Sequence, residues 1–205
     1  MVQGHRQTIV HIIRRMFSAC RMAALVLLVT TFAAAAAAVA VQVDTAPGEY
    51  QVKAAILFNF AKFVEWPDAA FPDAAAPIII GVLGEDPFGS ALDAAKNKTA
   101  NGRKIQIMRF NNVQEVTACH ILFISSSEKG RLASLLRDLK DFKMLLVGDM
   151  EKFAQRGGMI NFILQNDTID FEINVDAVKR AGLKINSRLL NMARIVRGVP
   201  SDKDE

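Results

Sequence analysis

Within residues 49–65, Val52, Ile56, Phe60 and Phe63 recur at the spacing of one helix face, with Lys53, Asn59 and Lys62 falling between them. The spacing predicts an amphipathic helix. Trp66-Pro67 ends it, because a residue before proline is pushed out of the α region and proline has no N–H for the helix ladder. Residues 68–77, with Pro72 and Pro77, predict a loop. Residues 78–83 are an apolar, largely β-branched run between Pro77 and Gly84, which suits a strand buried on both faces. Asp86 as N-cap and Pro87 at the first helical position predict a short helix to Lys96. Asn101-Gly102 marks a turn into a second strand, where Ile105 and Ile107 alternate with Gln106 and Met108. Residues 118–125 predict a third strand. Ser127 and Glu128 open a helix with Leu132, Leu135, Leu136 and Leu139 on its apolar face, and residues 144–147 predict a fourth strand.

Phe153 is predicted in a short helix closed by Gly157-Gly158, whose glycines supply positive φ. Residues 159–164 and 168–174, separated by Gln165-Asn166-Asp167, predict an antiparallel hairpin. A helix over 176–181 ends at Gly182. Ser187 caps a last helix whose Leu189, Leu190, Met192 and Ala193 turn inward, leaving Arg188, Arg194 and Arg197 outside. Alternating strands and helices followed by a hairpin predict an α/β fold: a three-layer sandwich with a central mixed, largely parallel sheet flanked by helices, and the hairpin near its C-terminal edge.

The chain ahead of this pattern changes its meaning. Arg6, Arg14, Arg15 and Arg21 form a basic front, residues 22–38 carry no charge, and Ala38-Val39-Ala40 offers small residues to a signal peptidase. Residues 1–40 are read as a secretory signal and 41–205 as one domain in the periplasm. The competing reading is a retained membrane helix, against which the alanine-rich second half gains little from lipid. Cys20 precedes the apolar core, the wrong side for lipidation. Of 25 Lys and Arg, four lie in this leader, which has no acid, so the remainder balances the 21 Asp and Glu. A neutral domain without a basic block gives no electrostatic reason to bind nucleic acid or an anionic membrane.

After cleavage one cysteine, Cys119, and one histidine, His120, remain, which excludes an internal disulfide and a His-rich zinc site. Adjacent strand residues face opposite ways, so these two form no thiol–imidazole dyad. Ser125-Ser126-Ser127 lacks a G-x-S-x-G elbow. No catalytic residue, metal ligand or cofactor is assigned. Two candidate surfaces are. Asn59, Lys62, Glu65 and Trp66 gather at the end of the first helix as a partner surface, although Lys62 and Glu65 can instead pair and Trp66 cover the core. Glu85, Asp86, Ser125, Ser126 and Asp149 all follow strands, where open α/β sheets bind ligands, and their acids suit a small cationic or polar ligand rather than a phosphate.

Several ordered segments resemble the YfiR-like family of bacterial periplasmic proteins: 58–67 (FNFAKFVEWP), 81–89 (GVLGEDPFG), 119–125 (CHILFIS), 157–162 (GGMINF), 171–174 (FEIN) and 187–190 (SRLL). The resemblance implies a non-enzymatic regulator. The best-known member holds an inner-membrane diguanylate cyclase inactive from the periplasmic side, restraining cyclic di-GMP and biofilm formation, and works as a homodimer. The partner implied here is such a cyclase; the alternative is a small-molecule sensor acting on a sensor kinase or another membrane receptor. That member relies on disulfides, which a lone Cys119 cannot reproduce internally.

Overall fold

The computed structural model describes residues 47–116 and 118–198. The expected leader, its cleavage site and the tail at 200–205 lie outside them. Ten strands and five α-helices are seen among the described residues. The main sheet has the order β10-β8-β7-β6-β5-β2-β4-β3. Its strands are β2 (Ile78–Leu83), β3 (Thr99–Ala100), β4 (Arg103–Phe110), β5 (Ile121–Ile124), β6 (Leu145–Gly148), β7 (Ile160–Gln165), β8 (Thr168–Asn174) and β10 (Arg194–Val196). From β4 through β2, β5 and β6 to β7 every pairing is parallel. The β7–β8 hairpin is antiparallel, turned through Asn166 and Asp167 at φ of 49 and 58°, the left-handed pair that a two-residue hairpin requires. β10 then adds a parallel edge beyond the hairpin, a strand the sequence reading did not include. β3 closes the other edge, joined to β4 by Asn101-Gly102 with both φ positive. The fold is therefore α/β with a mixed, largely parallel sheet.

Register assigns the faces. Phe162 lies opposite Phe171 across β7 and β8, and the Phe60 ring of helix α1 (Pro47–Phe63) packs on both, at centroid distances of 5.7 and 5.5 Å. One residue away, Asn161 is level with Gly148 and faces the other side. There the Phe153 ring fills the space a Cβ on Gly148 or Gly158 would need, within 2.8 and 2.2 Å. Gly157 has the expected positive φ, 112°, whereas Gly158 is required for this close approach instead.

The buried stripe of α1 is Lys53, Ala54, Leu57, Phe60 and Ala61, continuing into Val64. The predicted stripe was rotated: Val52 is 47% exposed and Lys53 only 3%. Leu57, Ile56 and Phe58 make this helix apolar around much of its girth, so spacing alone left its phase open. Val64-Glu65 leave the helix as β1 and pair antiparallel with β9 (Lys184–Ile185). Residues 86–96 contain only the single turn α2 (Ser90–Asp93), with Gly89 before it. Asp86 instead accepts from the Phe88 N–H at 2.8 Å, a local turn that competes with helix. The helix expected at Phe153 is a series of turns. A 3-10 segment, Ser126–Arg131, precedes α3 (Leu132–Asp138). α4 (Val175–Arg180) and α5 (Ser187–Met192) are capped by the side chains of Asn174 and Asn186, the latter in place of Ser187, and Met192 points out at 70% exposure.

Candidate functional site

α1 and the residues after it run from one end of the strands to the other, because its first turns meet Asp149, just past β6, and Trp66, three residues beyond its end, meets His120, just before β5. At the first end the Lys53 ammonium lies 2.7 Å from Asp149 Oδ2 and 2.5 Å from Glu49 Oε1. The Tyr50 hydroxyl donates to the same Oδ2 at 3.0 Å. Burial and the neighbouring carboxylates of Asp149 and Glu49 raise the Tyr50 pKa, keeping the phenol a donor. Asp149 Oδ1 is buried with no partner among the described residues. The sequence reading anticipated a cation beside Asp149; the ammonium here is the chain's own Lys53. No local signal singles it out, because the 53, 57, 60, 64 ladder competes with the 52, 56, 60, 63 one in the same apolar helix.

Of the rest of the ligand set, Asp86 and Ser125 have side-chain partners. Asp86 pairs with Arg109 at 2.7 Å. Ser125 is buried, and its Oγ accepts from the Ser127 N–H at 3.4 Å. Ser126 and Glu85 are exposed, and the Glu85 N–H donates to Ser127 Oγ at 3.0 Å. A Cβ on Gly84, whose φ is +90°, would meet Ser127 Oγ at 2.5 Å and Glu128 Oε1 at 2.8 Å. The loop after β5 is thus packed directly on the loop after β2, at the position where the strand order reverses.

At the other end, the Ile79 N–H donates to His120 Nδ1 at 3.1 Å, which leaves the ring proton on Nε2, 3.2 Å from the Ala70 carbonyl. Phe71 stacks on the imidazole at 4.5 Å, and the Arg103 guanidinium lies 3.8 Å from the Phe71 ring centre. Burial holds His120 below its ordinary pKa, the Arg103 charge adds to this, and the Ala70 carbonyl opposes it. Cys119 points away, its thiol 2.9 Å from the Ile121 carbonyl, and burial pushes its pKa up to about 12. It is a free, buried cysteine.

The four candidate partner residues divide between two places. Trp66 is half-buried; its indole N–H donates to the His120 carbonyl at 3.1 Å and its ring meets the imidazole edge-on at 5.9 Å. Glu65 is exposed on β1. Lys62 forms no ion pair with it and sits 4.5 Å from the Phe58 ring centre instead. Asn59 borders a groove of about 420 Å³ between α1 and α2. A second groove of about 430 Å³ lies at the His120 end, bordered by Ala70, Pro72, Ile79, Asp141, Phe142 and Lys143.

Residues 50–194, nearly the whole described domain, match the YfiR/HmsC-like family. The chain belongs to this family. In this YfiR/HmsC-like domain the sulfur and imidazole are committed to backbone bonds.

Proposed function

We propose that this YfiR/HmsC-like protein is a periplasmic regulator that represses a membrane-bound signalling enzyme, a diguanylate cyclase, and thereby lowers cyclic di-GMP and biofilm formation. The observation that carries this reading is the family match across residues 50–194. The leader-like residues 1–40 support export, and cleavage after Ala40 releases the domain beginning at Val41. The domain acts by binding: its one thiol and one imidazole serve the fold, and Lys53, which has a base-like type, is spent on Asp149. It works as a homodimer, on the family resemblance. Overproducing the full chain should lower cellular cyclic di-GMP and surface attachment; a rise, or no change in either, speaks against repression.

A second reading, a small-molecule sensor acting on a sensor kinase, is favoured by the groove at the His120 end. The exposed Glu85 and Ser126, after β2 and β5, are the further candidates for this reading.

A further inference from the structure

We infer that the groove between α1 and α2 receives an acidic amphipathic helix of the membrane partner. Its floor is made of alanines: Ala54 and Ala55 from α1, Ala91 within α2, and Ala94 and Ala95 just after it. Side chains this small let the backbone of an incoming helix approach closely, as ridges packing into a groove demand. Val52 adds an exposed apolar side chain on the same helix, 47% accessible.

Charge decides the kind of helix. The Phe58 ring borders the groove with the Lys62 ammonium 4.5 Å and the Lys98 ammonium 5.6 Å from its centre. Both lysines are exposed, and neither forms an ion pair among the described residues. The acids within α1 and α2 themselves are already used: Glu49 by Lys53, and Asp93 by Lys96 and Arg109. Gln51 and Asn59 supply neutral polar groups along the rim. Two unneutralised ammoniums beside an alanine floor match a helix with an apolar face and carboxylates along one side. A basic or purely apolar helix would leave both charges facing nothing.

The inference rests on the regulatory reading for the partner's location in the membrane, and its test is independent of cyclic di-GMP. A photocrosslinking amino acid is placed at exposed Ala94 of the full chain in living cells, with exposed Lys140, in the turn after α3, as a control position. The expected product is a crosslink to a membrane protein from position 94 and not from 140, mapped to an acidic helical segment. It should be lost in Lys62→Glu/Lys98→Glu and restored when that segment's carboxylates are changed to Lys. Circular dichroism on the purified double variant checks that it folds; if it does not, Lys98→Glu alone replaces it. A crosslink to a second copy of this chain, the same products from both positions, no product, or a product unaffected by charge reversal overturns the inference. Normal derepression on deletion together with any of these results leaves the regulatory reading standing and removes only the groove.

Discussion

Lys53 and His120 show how single polar side chains are built into this core. Lys53 is nearly inaccessible and stands between Glu49 and Asp149. Removing one member of a buried pair strands the other charge, at a cost of about 3–5 kcal/mol. Lys53→Met should therefore lower unfolding stability by that amount in urea titrations. Adding Asp149→Leu to the same chain should recover much of the loss, and a fully additive double variant contradicts the coupling. His120, the one histidine of residues 41–205, gives a pH signature. Its pKa in the fold lies below the ordinary value, so above about pH 6.5 the ring is neutral in folded and unfolded chains alike and its contacts persist. As pH falls below that value the unfolded chain binds the proton first, and stability is lost until the pH passes the lowered folded value. The slope of stability against pH between 7.5 and 5 should be shallower in His120→Gln than in the wild type; equal slopes contradict it.

Close packing at glycine governs several elements. A Cβ on Gly158 would lie 2.2 Å from the Phe153 ring, and Gly148 presses on the same ring from β6. Gly158→Ala should cost about 1–3 kcal/mol through overpacking, measured by thermal unfolding. A Gly158→Ala/Phe153→Leu chain should regain part of it, and a silent Gly158→Ala would mean that the 151–157 turn yields freely. The strand at 78–83 was legible because a β-branched run between Pro77 and Gly84 has few alternatives, that at 144–147 because a short apolar run stops at Gly148, and that at 168–174 because it follows a polar turn. Short paired pieces were not. β1, β9 and β10 exist through partners distant in sequence, Lys184 for Glu65 and Ile173 for Ile195, which no local pattern contains. α1 was legible as a helix, yet its rotation was not, since only the Asp149 carboxylate 96 residues away identifies Lys53 as an inward position.

For the molecule as a whole, the order of parallel strands followed by a hairpin was readable from alternation alone, and the structure bears it out. The candidate surfaces were readable only in part. Residue types after strands pointed to Asp149 but not to the lysine that covers it, and Asn59, Lys62 and Trp66, close in sequence, are drawn to the α1–α2 groove, the Phe58 ring and the His120 carbonyl respectively. The proposed function belongs to the same scale, since repression of a membrane partner would be an act of the whole domain. The most direct test is cellular cyclic di-GMP, quantified by mass spectrometry in the wild type, in a strain lacking this protein, and in strains also lacking each membrane diguanylate cyclase with a periplasmic region. The expected result is a rise on deletion that one cyclase deletion abolishes and that the full chain, but not residues 41–205 produced without the leader, reverses. Unchanged cyclic di-GMP on deletion, or a rise that persists in every double deletion, would contradict repression of a cyclase.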